Sequence, residues 1–429
     1  MLDPQILRDD PDRVRRAIAS KRQGDPSVVD HILEVDRDRR EAITALQAAK
    51  TRQGELGKQI GPLMKDGKRD DAQGLLAESN QIKTEAKALE ERAKGLEIQF
   101  HDLMLQVPNL PHDSVPEGAS AEDNVIDAMW GDLPSFDFES LPHWEIAERH
   151  GLIDFERGAK VAGAGFPFYV GQGARLQRAL ISLFLDIAAE AGYTEIQPPL
   201  VVNEASGMGT GQLPDKEAMM YEAERDGLYL IPTSEVPVTN YYRGEILSAD
   251  DLPALYCAYT PCWRREAGSY GKDVRGLNRL HQFDKVELLK FTRPEDSYDH
   301  LESMLADAER AVQALGLPYR RLVLCTGDMG VTQAKTYDLE VWSAGQDRWL
   351  EVSSVSNVES FQARRANIRF RPEGGGKPEP VHTLNGSGLA LPRIVAALLE
   401  HYQQADGTVR LPDVLAHRCG FEVIGEATG

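Results

Sequence analysis

The chain reads as an α+β protein: an antiparallel β-sheet flanked by helices, with a long antiparallel helical hairpin as an N-terminal arm. Three observations predict this. From Ile82, apolar or small residues recur in alternating steps of four and three (Ala86, Leu89, Ala93, Leu96, Phe100, Leu103), which is the heptad seam of a coiled coil. Past residue 250 come runs rich in aromatic and branched residues: YCAYTPCWRRE, LHQFDKVELLKF, TYDLEVW and WLEVSS. The turn SAGQD joins the last two as a hairpin, so neighbouring strands run antiparallel. Between arm and sheet, VPNLPHDSVPEGAS (107–120) is proline-rich and aperiodic, the mark of a linker.

The arm is expected over residues 1–106, a linker over 107–135 and a second module over 136–429. Within the arm, Ile32, Val35, Ile43, Leu46, Leu56, Ile60 and Leu63 continue the stripe more loosely, and Gly61-Pro62 with KDGKRDD (65–71) places the turn. Each limb of ~32 residues would extend roughly 50 Å. Residues 36–69 hold nine Lys/Arg against five Asp/Glu, and residues 70–105 hold four against eight. The first limb and the tip are therefore the basic side, which suits an ordinary solvated face or one that meets phosphates. In the second module GARLQRALISLFLDIAAEAG (173–192) reads as a helix ending at glycine, and YTEIQPPLVV as a strand.

Composition bounds the function. With 429 residues, 41% of them hydrophobic, the chain can bury a sizeable core in two or three domains. A net charge of −20 argues against indiscriminate coating of nucleic acid but leaves a local basic patch open. Cys257, Cys262, Cys325 and Cys419 form no CxxC pair and no disulfide framework, which suggests a reducing, cytoplasmic setting. MLDPQILRDDPDRVRRAIASKR alternates acids and bases where a signal peptide needs an apolar core, and no run of about 18 apolar residues follows, so no membrane segment is expected.

Several tempting motifs fail. GAGFPF and GQGARL lack the third glycine of a dinucleotide fingerprint, and GSYGK and GGGK lack the hydroxyl and the distant glycine of a P-loop. What remains is WRREAGSYGKDVRG (263–276) between two strands. Arg264 and Glu266 share a face by the two-residue period, as do Phe283 and Glu287 on the return strand. An arginine offers paired donors to a phosphate and an aromatic ring offers a base a stacking surface, although surface hairpins carry such residues too. PTSE (232–235), EVSS (351–354) and NGSGLALPR (385–393) add hydroxyls, carboxylates and Arg393 at strand ends or a helix start.

Taken together, PTSEVPVTN, WRREAGSYGKDVRG with LHQFDKVE, AKTYDLEVW, WLEVSSVSN and TLNGSGLALPR resemble the bacterial type of seryl-tRNA synthetase, a class II aminoacyl-tRNA synthetase. The arm and linker fit the same family, so the resemblance spans nearly the whole chain. It implies motif 1 ending at Pro198-Pro199 as a homodimer interface, motif 2 over 257–289 and motif 3 over 385–400. It implies catalysis by Arg264 and Arg393. The implied ATP site holds Arg264, Arg265, Glu266, Leu280, Phe283, Glu351, Val352, Ser353, Ser354 and Arg393, with adenine between Phe283 and Arg393. Glu351 and Ser354 would hold Mg²⁺.

The implied serine pocket holds Thr233, Ser234, Glu235, Glu287, Asn385 and Ser387, with the choice of carboxylate for the ammonium open. Substrates and partners implied are L-serine, ATP, tRNA(Ser) and, where it exists, tRNA(Sec). Ser234 stands where the family commonly has alanine, and Tyr270 where phenylalanine is frequent. Cys257 and Cys262 are not the zinc-ligand set of the divergent archaeal form, so no zinc is expected. Lys272, Asp273 and Arg275 are candidates for the acceptor end of the RNA. Two rivals, transfer of the amino acid to a carrier protein and a non-catalytic RNA-binding paralogue, fit less well: relatives of the first kind usually lack such an arm, and the second would have lost some of Arg264, Glu266, Glu287, Glu351 and Arg393.

Overall fold

The computed structural model describes residues 1–215, 218–266 and 275–425. They form two compact units, Met1–Pro108 and Asn109–Gly429.

The first unit opens with two short helices, Pro4–Asp9 and Pro11–Ser20, each capped by an aspartate side chain (Asp3, Asp10) and each with proline in its first turn. Helices α1 (Val28–Lys65) and α2 (Arg69–Met104) then form the hairpin. Their 38 and 36 residues exceed the expected limb length, because α1 already starts at Val28 and α2 starts at Arg69, inside the expected turn, and Pro62 does not end α1. That proline lies in the exposed last turn, where water can serve the carbonyl that its missing N–H leaves free. The turn falls at Gly67, at φ 75°. Every seam residue predicted from the heptad is buried or half-buried. Across the seam Arg39 pairs with Glu97 at 2.7 Å, Lys50 with Glu90 at 3.3 Å and Arg52 with Glu78 at 2.8 Å. The basic limb thus spends part of its charge on the acidic one.

The second unit is built on eight strands: β1 (Val125–Trp130), β2 (Thr194–Glu195), β3 (Ala254–Trp263), β4 (Gln282–Thr292), β5 (Tyr319–Val323), β6 (Lys335–Ser343), β7 (Arg348–Asn357) and β8 (His382–Ala390). Their order in the sheet is β1-β5-β6-β7-β8-β4-β3-β2. All neighbours are antiparallel except β2, which lies parallel to β3 at one edge. The run expected to continue from there as a strand is cut at Glu195, since Pro198 and Pro199 cannot donate to a ladder.

The linker expected over 107–135 is also corrected. Residues 125–130 pair with β5, and the Asn109 side chain donates to the carbonyls of Thr332 (2.9 Å) and Val358 (2.8 Å), so most of the stretch belongs to the second unit. The strand escaped sequence reading because Val125, Ile126 and Met129 are exposed, which removes the alternation that signals a half-buried strand.

Helices α3 (His143–Arg149), α4 (Gln172–Glu190), α5 (Ser297–Ala314) and α6 (Leu391–His401) supply the core with Leu176, Leu180, Leu301, Met304 and Leu398 against Val286, Leu288 and Val355 of the sheet. Val286 and Leu288 face those helices. The alternate residues of β4, Phe283, Lys285 and Glu287, therefore face the other way.

Candidate active site

That second face carries a cavity of about 390 Å³, within the range of small-molecule sites. Its floor is the junction of β4 with β3 and β8. Phe283 stands opposite Cys262, and Glu287 opposite Ser387. Between Lys285↔Ala390 and Glu287↔Ser387 the register shifts by one at a bulge where Leu389 takes φ 118°. Immediately beyond, α6 starts with Pro392 in its first turn and brings Arg393 to the rim.

Two arginines that line the cavity are fixed by carbonyls. The Arg264 Nε donates to Pro232 O at 3.2 Å, and its guanidinium carbon lies 5.2 Å from the centre of the Phe283 ring. Arg393 donates from Nε to Asn278 O at 3.1 Å and from Nη1 to Glu351 O at 2.6 Å, with the Glu351 carboxylate at 3.5 Å. Glu266, held at φ 47°, accepts from Arg279 at 2.9 Å. Below Glu351, Asp338 faces Ser354 across the β6–β7 pair, and its Oδ1 is buried with no hydrogen-bond partner among the described residues. Burial, and after it the charge of Glu351, hold the Asp338 pKa well above the usual carboxylate range.

Glu235 and Glu287 also line the cavity, close enough for each charge to be felt by the other. Thr233 Oγ1 donates to Glu287 at 2.8 Å, and Lys285 closes an ion pair with the same carboxylate. The Glu235 N–H donates to Thr233 Oγ1 at 3.1 Å, and Gln362 donates to the Glu235 carboxylate at 2.5 Å. Burial and then the neighbouring Glu287 push the Glu235 pKa up to about 7, against the opposing bond from Gln362.

Of the residues predicted from sequence, Thr233, Glu235, Arg264, Glu266, Leu280, Phe283, Glu287, Glu351, Val352, Ser354, Asn385, Ser387 and Arg393 line this one cavity. Three others do not. Arg265 points out toward Tyr221, its guanidinium 5.8 Å from that ring, because neighbours in an extended chain face opposite ways. Ser353 is turned away for the same reason and donates to Ser387 O at 2.5 Å. Ser234 is fully buried and its Oγ finds no partner among the described residues, in keeping with a position where the family commonly has alanine.

Sequence reading missed Lys285, Asn278 and Arg279, which also line the cavity. Lys285 was within reach, since the alternation that pairs Phe283 with Glu287 includes it; the other two lie in a loop with no period. Arg275 stacks on Trp144 at 4.6 Å, whereas Tyr270, Lys272 and Asp273 lie outside the described residues. Cys257 and Cys262 are buried and five residues apart on one regular strand, hence on opposite faces, and do not form a ligand pair.

An antiparallel sheet whose motif 2 hairpin and motif 3 helix close a pocket of paired arginines and carboxylates is the frame of a class II aminoacyl-tRNA synthetase. The model of the tRNA synthetase class II core domain (G, H, P, S and T) matches residues 219–402, and that of the seryl-tRNA synthetase N-terminal domain matches residues 1–111. The serine–tRNA ligase of Salinibacter ruber is 60% identical, with 99% of each chain covered. The crystal structure of seryl-tRNA synthetase from Pyrococcus horikoshii complexed with ATP superposes with a TM-score of 0.93 at 36% identity over 99% of each chain. The cytoplasmic serine–tRNA ligase of Naegleria fowleri in complex with AMP gives 0.87 at 29% identity, covering 99% of this chain and 98% of that one. The chain belongs to the seryl-tRNA synthetase family, whose members are the serine–tRNA ligases.

Proposed function

We propose that the cavity between β3, β4 and β8 is where this serine–tRNA ligase activates L-serine with ATP, before passing the seryl group to tRNA(Ser) and, in cells that have it, to tRNA(Sec). The observation that carries the assignment of residues is the chemistry of the cavity lining. It brings carboxylates and a threonine hydroxyl (Thr233, Glu235, Glu287) together with two carbonyl-fixed arginines and an aromatic ring (Arg264, Arg393, Phe283).

The serine carboxylate attacks the α-phosphorus in line and pyrophosphate leaves. The nucleophile is already ionised, so the protein's task is positioning and charge stabilisation rather than proton removal. Arg264 grips the α-phosphate and the serine carboxylate, Phe283 and Arg393 hold the adenine between them, and the main chain of Leu280 meets its edge. Glu266 contacts the adenine side and later the acceptor end of the RNA. Glu235 and Glu287 take the ammonium and hydroxyl of serine, with Thr233, Asn385 and Ser387 completing the pocket. Alanine is rejected because those buried groups would go unpaired, and threonine for lack of room.

Glu351 and Ser354 suit Mg²⁺ brought in with ATP, as hard oxygen ligands. The unpartnered Asp338 oxygen beneath them fits a cation there, since a positive charge would offset the burial that holds its proton on. When bound, the ion supplies charge neutralisation to the phosphates. The basic side of α1 meets tRNA phosphates, and two copies pair through the segment around Pro198-Pro199. No described helix is long and apolar enough to cross a membrane, and the cytoplasm is the compartment where these substrates meet.

Serine-dependent ATP–pyrophosphate exchange tests the assignment. Arg264→Ala is expected to lower exchange by about 10²-fold or more, the effect of losing one charge-stabilising donor. Near-normal exchange in that variant would take Arg264 out of its role.

A further inference from the structure

The substrates account for neither of the two fully buried partners His143 and Glu400. Glu400 lies on α6 seven residues after Arg393, which is two turns along the same helix face. Its Oε1 accepts from the His143 backbone N–H at 2.9 Å and from the His143 ring Nδ1 at 2.7 Å. Oε2 accepts from the Ser343 hydroxyl and from the Gly345 N–H at 3.1 Å. Burial alone would push this carboxyl up; the donors, His143 first among them, outweigh it and hold the pKa below the ordinary value. The other ring nitrogen of His143, Nε2, accepts from the Leu277 N–H at 2.9 Å. With Nε2 accepting from Leu277, the ring donates to Glu400 from Nδ1.

This chain of bonds ends on residues 275–280, the segment that returns from the motif 2 loop into the cavity wall. Arg275 stacks on Trp144, next to His143, and Gly276 sits at φ 67° so close that a Cβ would lie 2.3 Å from His143 Nε2. The Asn278 side chain is tied to Gln346 at 2.9 Å, and Gln346 in turn donates to Glu400 at 3.2 Å. The Asn278 carbonyl is the acceptor that fixes Arg393. One helix thus holds the segment at two successive residues: Arg393 takes the carbonyl of Asn278, and Glu400, through His143, takes the N–H of Leu277.

We propose that His143 and Glu400 are positioning residues for the ATP subsite, clamping residues 276–280 so that Asn278 orients Arg393 and the main chain of Leu280 meets the adenine. The proposal rests on the assignment of ATP to this cavity given above. It predicts a selective defect. His143→Leu should raise KM for ATP in pyrophosphate exchange by about tenfold or more, the loss of about one well-made hydrogen bond, while KM for serine stays within about twofold. His143→Gln, which keeps a donor and an acceptor, should recover part of the loss.

Gly276→Ala displaces the same segment without touching the buried carboxylate. It should reproduce the KM change at the cost of a lower melting temperature from the strained φ and the close approach to His143, and assayed well below that temperature it keeps the proposal open to refutation even if the His143 variants fail to fold. Unchanged KM for ATP in folded Gly276→Ala, or an equal rise in both KM values, would overturn it. Calorimetric titration with ATP separates this clamp from the function it rests on: a wild-type chain that binds ATP but activates no serine sinks that function alone, and the clamp then stands or falls on the weaker ATP binding expected of Gly276→Ala.

Discussion

Between residues 40 and 65 of α1 only Ala42 and Leu56 are fully buried, and on the facing stretch of α2 only Ala72 and Ala86, so that part of the hairpin is held by a thin seam and by exposed ion pairs such as Arg52–Glu78. The floor of the cavity is the reverse: Thr233, Lys285 and Glu287 are at most 5% exposed and each satisfies another. In the arm each contact is one of many equivalents and can be lost cheaply. On the sheet Thr233 and Lys285 share the one carboxylate of Glu287, so removal of Glu287 strands the buried charge of Lys285. The arm is made to present a surface, and the sheet to hold a geometry.

Deleting residues 30–105 tests that division most severely. Charging of tRNA(Ser) should be abolished while serine-dependent exchange persists, since arm contacts to RNA phosphates take no part in adenylate formation. Intact charging by the truncated chain would break the contrast.

A smaller effect is expected of Glu235→Gln. It should raise KM for serine by about 10–100-fold at pH 8, the loss of a hydrogen bond to a charged group. In the wild type the same KM should fall as pH rises through about 7, where the carboxyl ionises. Stability moves oppositely. Because the folded-state pKa is raised from 4.5 to about 7, the folded chain holds a proton that the unfolded chain releases, and stability declines across that window as pH rises. The glutamine variant should lack this decline and melt about 2–4 °C above the wild type at pH 8, which calorimetric melts would check. Identical pH dependence of wild type and variant would count against the shift.

The smallest effect belongs to the arm. Arg52→Ala removes a pair whose side chains are 44% and 41% exposed, and should cost no more than about 0.5 kcal/mol in denaturant unfolding. A loss as large as that of a buried pair would erase the distinction.

What could be read in the sequence followed the same division. The hairpin seam was legible residue by residue because helical period is a local property, and so was the face that joins Phe283 to Glu287. Motifs that are contiguous in sequence misled where they are extended in space: the ATP site implied by the family resemblance took in Arg265 and Ser353 with their neighbours, although alternation turns both away. The clamp on residues 276–280 was out of reach, since His143 and Glu400 are 257 positions apart and neither stands in a pattern that marks a ligand. The strand at 125–130 was hidden by its own exposure.

The alternation along β4 also bears on how the chain can change. Phe283, Lys285 and Glu287 reach the cavity because they are two residues apart, and Glu287 meets Ser387 because the bulge at Leu389 sets the offset between β4 and β8. One residue inserted ahead of Phe283 within the paired strand would turn all three side chains into the helical core and bring Asp284 and Val286 out in their place. The shelf at Phe283, proposed for adenine, and the pocket at Glu287, proposed for serine, are therefore inherited as one unit, which tolerates exchange of side chains but not a change of spacing.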